Sequence, residues 1–430
     1  MPLPRKSPPL VLRSSCLIVT GLAMAGLGGC GQSTPSPPSG PATNIPAVEV
    51  PGGAGGVDIL FMIDNSSSMY SMQQKLVAQI PAFLNTLQSA AQPLTDFHIA
   101  VVSSDMGAPG DVTSSIGCTA TGDQGVFQSL PRGTCTATTL DPGATFISNV
   151  GGVANYSGSL NDALACITPL GSVGCGFEHQ LASVVRALGA DGQPAPAENA
   201  GFLRRDAELA IFLLTNEDDC SAPADTALFS LNGHSQDLSN PLGPIANYRC
   251  NQFGHLCRDP NGADPSKLIM PPLNPPSDAQ GTNPPTLGLV DCESNDTSTG
   301  LLTPVSQFVA QIKALKTDPS RITVGALVAP ATPYTVEWAP AAGTGPGAGQ
   351  LWPQIEHSCG PQAGDDVNPL ATDVTTDGSF GDPGVRITEL VQAFGANGTI
   401  GSICDDYSTT MGAMAGMVLA NRSAPDAGTN

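Results

Sequence analysis

The stretch VDILFMIDNSSSM, residues 57 to 69, decides the fold of this chain. Six of its first seven residues are apolar, which is typical of a strand buried inside a parallel sheet. Asp64 ends the run, and Ser66 and Ser68 follow at alternating positions. Ligands of open α/β sheets bind where such strands end, and hard divalent cations take carboxylate and hydroxyl oxygens. The stretch therefore predicts a cation site, although the serines alone would also suit a helix N-cap.

Strand and helix patterns alternate along the rest of the chain. Strands are predicted near 57–64, 97–104, 209–215 and 322–329, and helices near 68–89, 178–189, 302–316 and 386–394. A short apolar stretch at 398–404 and a helix at 407–419 would close the domain. The alternation predicts an α/β fold, a doubly wound and mostly parallel sheet flanked by helices.

Three long insertions interrupt this pattern, at about 106–155, 221–300 and 331–385. Each begins at the carboxyl end of a predicted strand, the sheet edge that holds Asp64, and each contains cysteines. We expect the insertions to form a collar over that edge, because loops longer than ~12 to 15 residues are usually functional or disordered. The alternative is that they are decorative and point outward.

Ten cysteines lie beyond residue 30, an even number that suits up to five disulfides in an exported protein. Short spacings favour Cys166 with Cys175, Cys250 with Cys257 and Cys118 with Cys135, but the connectivity stays open. The other four candidates are Cys220, Cys292, Cys359 and Cys404. A thiolate metal cluster is the weaker interpretation, because the chain has no CxxC motif.

The N-terminus predicts export. Residues 1–30 combine basic residues with an apolar stretch, and the sequence Leu27-Gly28-Gly29-Cys30 resembles a bacterial lipobox. Cys30 would then carry the lipid, and the residue that follows it favours the outer membrane over the inner one. Residues 31–51, rich in Pro, Ser and Gly, predict a tether to a domain at 52–422, with a flexible tail at 423–430. An ordinary secretory signal peptide is the alternative.

The charge balance argues against nucleic-acid binding. Removing Arg5, Lys6 and Arg13 from the 16 basic residues leaves 13 against 37 acidic ones, a net charge near −24. Proteins that bind nucleic acids need clustered Lys and Arg to displace the counterions of the phosphates. An acidic surface favours solubility and cations instead, and membrane contact is expected only through the N-terminal lipid.

Together, these motifs resemble the von Willebrand factor A domain with its metal-ion-dependent adhesion site. The resemblance extends through FHIAVVSSD (97–105), GCGFEHQLASVVRAL (174–188) and FLRRDAELAIFLLTNEDDCS (202–221) and covers about 55–422. It is greatest to cysteine-rich versions on bacterial lipoproteins. The resemblance implies a Rossmann-like fold and a divalent cation, Mg²⁺ before Ca²⁺ or Mn²⁺. It also implies a protein partner that presents a carboxylate.

In that family the cation is held by the DxSxS motif, a later Thr and an Asp that closes a strand. The resemblance therefore assigns Asp64, Ser66 and Ser68 as ligands. Glu178 stands where the family has Thr, and Asn216 where it has Asp. A Glu at this position would add negative charge and weaken the attraction of the cation for a partner's carboxylate.

The remaining candidates are weaker. The ligands could be oriented by a second layer of residues that do not contact the cation: Asp105, Glu217 and Asp218. No enzyme motif such as HExxH, GxSxG or GxxxxGK occurs; His98 is expected in the core, and His179 near the site. We therefore expect a binding protein that acts in adhesion or assembly on the cell envelope. The alternatives are a structural domain with an internally satisfied or vestigial metal site and, third, a metal-dependent hydrolase.

Overall fold

The apolar run after Gly56 forms strand β1 (Val57–Ile63), which lies inside a seven-stranded sheet in this computed structural model. All seven residues of β1 are buried. Strands β2 (Phe97–Ser103) and β5 (Glu208–Leu214) flank β1, and both run parallel to it. Ile63 pairs with Ser103 on one side and with Leu214 on the other, so the three strands end together. The polar residues that follow these strands are thereby brought to one edge.

The structure describes residues 55–89, 94–108, 117–133, 135, 139–229, 240–244, 246–277, 284–340, 349–361 and 379–423. The proposed signal peptide, the proposed lipidation site Cys30 and the proposed tether lie outside these residues, as does most of the proposed tail. In the described part, no helix is both long enough and apolar enough to cross a membrane.

Strands β9 (Ile322–Val328) and β12 (Gly398–Ser402) continue the parallel part of the large sheet. An antiparallel hairpin, β3 (Ile147–Val150) and β4 (Val153–Ala154), completes its opposite edge. The strand order is β12-β9-β5-β1-β2-β3-β4. The predicted α/β class and mostly parallel sheet are confirmed, whereas the hairpin was not anticipated.

Helices cover both faces of the large sheet, because alternate residues of each buried strand face opposite ways. On one face, α1 (Tyr70–Gln88), α2 (Leu160–Ile167) and α7 (Ser408–Ser423) pack against Phe61 and its neighbours. On the other face, Leu60 and Met62 contact a core formed with three further helices. These helices are α3 (Gln180–Ala187), α5 (Val305–Lys313) and α6 (Val385–Gln392).

The second and third insertions form an antiparallel five-stranded sheet that the sequence analysis did not predict. The second insertion supplies α4 (Tyr248–Gly254), β6 (His255–Arg258), β7 (Leu268–Ile269) and β8 (Thr286–Ser294). The third supplies β10 (Tyr334–Pro340) and β11 (Leu351–Ile355). The strand order is β11-β10-β8-β6-β7, and a small core around Trp338 stabilises the sheet. The described parts of these two insertions therefore form a sheet of their own beside the large one.

All ten cysteines beyond Cys30 form disulfides, which confirms the predicted disulfide chemistry. The pairs are Cys118–Cys175, Cys135–Cys166, Cys220–Cys250, Cys257–Cys292 and Cys359–Cys404. The three pairings favoured by short spacing are wrong. Their partners lie 30 to 57 residues apart instead, because pairing follows the loops that meet in space rather than closeness in sequence.

Candidate metal centre

Asp64 lies fully buried at the point where β1 ends beside β5, and its backbone N–H donates to the Leu214 carbonyl at 2.9 Å. Its carboxylate accepts hydrogen bonds from several neighbouring groups, the Ser66 hydroxyl among them. Oδ1 accepts from the Ser66 N–H at 2.8 Å and the Ser104 hydroxyl at 3.1 Å. Oδ2 accepts from the Thr215 hydroxyl at 2.7 Å. Burial raises the pKa of Asp64, and these hydrogen bonds oppose the rise because they favour the charged form.

The two serines of the motif lie beside this carboxylate. The Ser66 and Ser68 hydroxyl oxygens are 3.4 Å apart, and the Ser68 hydroxyl donates to Asn216 Oδ1 at 3.1 Å. Ser66 and Asn216 are buried, whereas Ser68 is only partly buried. The Asn216 amide nitrogen has no hydrogen-bond partner among the described residues. The structure therefore brings Asn216 to the serines, as the resemblance implied.

Glu178 also reaches the site, where its carboxyl hydrogen-bonds the carboxyl of Glu217. Burial, then the charges of Glu217 and Asp64, hold the pKa of Glu178 well above its usual range. One of its oxygens, Oε1, is buried and has no hydrogen-bond partner within the described residues.

Both folded insertions contribute to this site. Asn247, just before α4, donates from its amide to Glu217 Oε2 at 2.9 Å. Asp382, near the end of the third insertion, donates its backbone N–H to the Asn216 carbonyl at 2.8 Å. Burial, then the charges of Glu217 and Asp218, hold the pKa of Asp382 well above its usual range, and its Oδ1 lies 3.8 Å from His357 Nε2. These contacts support the collar expected for the second and third insertions.

The first insertion behaves differently. It returns as β3, whose Asn149 pairs with Phe97 at the start of β2, so this part runs away from the Asp64 edge. Its early part stays near the site, because Cys118 is bonded to Cys175, three residues before Glu178. The expected collar therefore includes only part of this insertion.

Amide side chains and the close approach of one glycine fix the backbone around the site. Gln73, on α1, donates to the Asp64 carbonyl at 2.8 Å and to the Gly171 carbonyl at 2.9 Å. Gly174 has no room for a side chain, since a Cβ there would lie 2.2 Å from the Asn65 amide oxygen. Gln180, on α3, donates to the Thr215 hydroxyl at 2.9 Å. The positions of the oxygens are thus set by several elements.

The donor set is one of hard oxygens: carboxyl groups, hydroxyls and an amide. Within the described residues, no three Asp, Glu, His or Cys side chains form a group arranged to hold a metal ion. Oxygen donors of the kinds present suit Mg²⁺ or Ca²⁺ rather than a softer metal. The unpartnered Glu178 oxygen fits such a cation, since a buried carboxyl oxygen without a partner is unfavourable.

Two of the proposed supporting residues have other contacts. Asp105 Oδ1 accepts from the Gly107 N–H at 2.8 Å, and the backbone of Cys175 also hydrogen-bonds this carboxylate. Asp218 accepts from the Arg386 N–H and from His255 Nε2, both at 2.8 Å. Asp105 thus orders the loop after β2, and Asp218 joins α6 to the second sheet.

The two histidines considered earlier lie in different surroundings. His98 is buried, as predicted, and its Nδ1 lies 2.7 Å from the Phe202 carbonyl. The His179 ring packs edge-on against Phe229, with ring centres 5.1 Å apart, and hydrogen-bonds the backbone of Gly107. Burial lowers the pKa of His179 to about 4, so its ring is neutral near pH 7.

Sequence reasoning missed Ser104, Thr215, Gln180, Asn247 and Asp382. Two of these could have been found. Ser104 and Thr215 directly follow buried strands that run parallel to β1, so they must lie at the same edge. Asn247 lies within the second insertion and Asp382 near the end of the third, where no sequence pattern indicates a contact.

No protein-family model matches this chain, and neither does any curated protein. Among solved structures, one match is the pilus adhesin RrgA from Streptococcus pneumoniae, with 10% identity and a TM-score of 0.21. The match covers 81% of this chain and 38% of the adhesin chain, so the chain spans well under half of the adhesin's length. A similarity at this level supports no statement about function.

Proposed function

We propose that this chain is an exported, lipid-anchored protein with a von Willebrand factor A-like domain. In this proposal the domain binds a divalent cation beside Asp64 and, through the cation, a protein partner that presents a carboxylate. The supporting observation is the meeting of Asp64, Ser66, Ser68 and Asn216 at the carboxyl edge of the sheet. The role would be adhesion or assembly on the bacterial cell envelope.

The charges at the site favour a cation. Burial raises the pKa values of Asp64, Glu178 and Glu217, and the charge of Asp64 raises those of the two glutamates further. A bound cation would offset this repulsion. Asp64 would hold it directly or through water, and Ser66 and Ser68 directly, with Glu178 and Asn216 completing the set. Mg²⁺ is the favoured ion, with Ca²⁺ and Mn²⁺ as alternatives.

The position of the site within the domain suits a partner. Strand β1 begins at Val57 and ends beside Asp64. The site therefore lies at the edge of the sheet opposite to the edge where β1 begins. The lipobox resemblance favours the outer membrane.

A second candidate function is structural, and the pairing of Glu178 with Glu217 favours it. Two carboxyl groups supplied by the chain itself would satisfy a cation internally and leave no position for a partner. The cation would then only stabilise the domain. Hydrolysis is a weaker candidate, because the ring of His179, the nearest general base by sequence, packs against Phe229 instead.

The test is thermal unfolding of the exported chain, with disulfides intact, titrated with Mg²⁺, Ca²⁺ and Mn²⁺. A ligand of the folded state raises the unfolding temperature by mass action. The rise should be lost in Asp64→Ala and kept in Asp405→Ala, a matched change at an exposed position. If Asp64→Ala responds like the unaltered chain, the cation is bound elsewhere and the proposal fails.

A second experiment distinguishes partner binding from the purely structural role. Acetate is a minimal carboxylate that can occupy an open position on the cation. If partner binding is correct, acetate should raise the unfolding temperature further, but only when the cation is present. No effect of acetate, together with a clear effect of the cation, would favour the structural role.

A further inference from the structure

The disulfide Cys359–Cys404 links the two sheets of the domain. Cys359 lies four residues after β11, the edge strand of the second sheet. Cys404 lies two residues after β12, an edge strand of the large sheet. The Cys404 side is fixed to the large sheet, because the neighbouring Ile403 N–H donates to the Val328 carbonyl at 3.1 Å. The disulfide therefore holds the chain that leaves β11 against the large sheet.

On the Cys359 side, two short stretches meet that we call the clasp, residues 357–360 and 379–382. They form an antiparallel bridge. The Ser358 N–H donates to the Gly381 carbonyl at 2.8 Å, and the Gly381 N–H donates to the Cys359 carbonyl at 3.1 Å. A displacement of Cys359 would therefore be passed on to Gly381.

The clasp reaches the candidate metal centre through the backbone of Asn216. The Asp382 N–H donates to the Asn216 carbonyl at 2.8 Å. Gly381 lies against the same carbonyl, since a Cβ at this glycine would be 2.8 Å from the carbonyl oxygen. Residues that orient metal ligands typically account for about tenfold to a hundredfold in metal affinity. Because the side chain of Asn216 is one of the proposed ligands, the clasp helps to set the geometry of the centre.

Of the five disulfides, this one is the most accessible to a thiol. Cys359 and Cys404 are both partly exposed, whereas each of the other four disulfides contains at least one buried cysteine. Thiol–disulfide exchange begins when a thiolate attacks a disulfide sulfur, so its rate depends on access. Exposed disulfides are accordingly the labile or regulatory ones more often than buried disulfides are.

We propose that Cys359–Cys404 is a redox-sensitive tie that regulates the candidate metal centre. The reductant is an external dithiol. Its first thiolate attacks one cysteine sulfur and releases the other as a thiolate, which leaves a mixed disulfide. Its second thiolate then attacks its own bound sulfur and releases the remaining cysteine. Two electrons pass from the dithiol to the cysteines, and the two protons that the dithiol loses end on the two cysteine thiols.

Reduction removes the covalent link between the clasp and the loop after β12. The clasp then moves more freely, the Asp382 N–H leaves the Asn216 carbonyl more often, and the centre loses cation affinity. This loss of affinity rests on the function proposed above, whereas the loosening of the clasp does not depend on a cation.

The first measurement is the order of reduction. The exported chain is treated with increasing dithiothreitol without denaturant, free thiols are alkylated, and the alkylated cysteines are identified by peptide mass spectrometry. Cys359 and Cys404 should be modified before the other eight cysteines. The proposal is overturned if another pair reacts first or if all five pairs react together.

The second measurement is hydrogen–deuterium exchange of residues 379–384 in excess chelator, so that the cation site cannot alter the result. Exchange should be faster in the Cys359→Ser/Cys404→Ser double variant than in the unaltered chain. Cys135→Ser/Cys166→Ser, which removes a disulfide of the first insertion, should leave it unchanged. If the first double variant does not fold, the selectively reduced and alkylated chain takes its place. Unchanged exchange would mean that the disulfide does not hold the clasp.

The third measurement is calorimetric titration of the oxidised and the selectively reduced chain with Mg²⁺. The reduced chain should bind the cation about tenfold more weakly. Equal affinities would refute the regulation even if the clasp exchanges faster. If the oxidised chain binds no cation, the proposed function fails and the regulation fails with it, whereas the exchange result still decides whether the disulfide holds the clasp.

Discussion

The Thr215 hydroxyl donates a 2.7 Å hydrogen bond to Oδ2 of Asp64, although the two residues are 151 positions apart. Thr215 directly follows β5 and Asp64 directly follows β1, and these strands are paired in parallel. The bond therefore orients the carboxylate from the neighbouring strand. Oδ1 is oriented in the same way by Ser104, which follows β2.

Replacing Thr215 by Val should lower the free energy of unfolding by about 1 to 3 kcal/mol, because it leaves a buried carboxylate oxygen without its donor. Valine matches threonine in shape, so packing changes little. Thr215→Ser keeps the hydroxyl and should lose much less. Urea denaturation with disulfides intact measures both. Equal losses in the two variants would show that the methyl group, rather than the hydrogen bond, matters.

Replacing Glu178 by Gln should stabilise the domain at neutral pH in the presence of chelator. The buried carboxyl of Glu178 lies beside Glu217, and glutamine carries no charge in that position. The same variant should gain less from added cation than the unaltered chain, since one potential ligand is lost. Glu198→Gln, at an exposed position, is the control. A loss of stability in chelator would mean that the repulsion is already relieved in another way.

Two ion pairs should respond very differently to loss of their acid. Asp219 and Arg386 are both buried, with Oδ2 and Nη2 3.0 Å apart, so Asp219→Asn leaves a buried guanidinium without its counter-charge. A cost of about 3 kcal/mol or more is expected. Asp291 and Arg258 form a solvent-exposed pair at 3.2 Å, and Asp291→Asn should change stability by less than about 1 kcal/mol. Similar costs for the two variants, measured by urea denaturation, would contradict this assignment.

His98 should make the domain less stable in acid. Burial, then the charge of Arg204, lowers the pKa of His98 from its ordinary 6.5 to about 4. Between these two values the unfolded chain binds more protons than the folded one, so the free energy of unfolding falls as the pH drops through this window. At pH 4, the free energy of unfolding of His98→Gln should have fallen by about 3 kcal/mol less than that of the unaltered chain. Thermal unfolding across the window measures the difference, and parallel curves for the two proteins would refute it.

Local patterns predicted the large sheet well. The strand predicted at 97–104 is β2 (Phe97–Ser103), and the one predicted at 322–329 is β9 (Ile322–Val328). Both are buried along their whole length, so each appears in the sequence as a mostly apolar run. Strand β8 (Thr286–Ser294) was missed because most of its residues are exposed or half-buried. Its sequence, TLGLVDCES, mixes apolar, polar and glycine residues and resembles a loop.

The sequence by itself determined where the five parallel strands of the large sheet lie along the chain, and that Asp64 ends a buried strand. Hydrophobic periodicity is local, so it can be read without knowing the fold. Only the tertiary structure decided which cysteines pair, and which of the distant residues Glu217, Asn247 and Asp382 contact the site. Such contacts depend on where long insertions return to the domain. That path is set by the packing of the whole chain, which no short sequence pattern records.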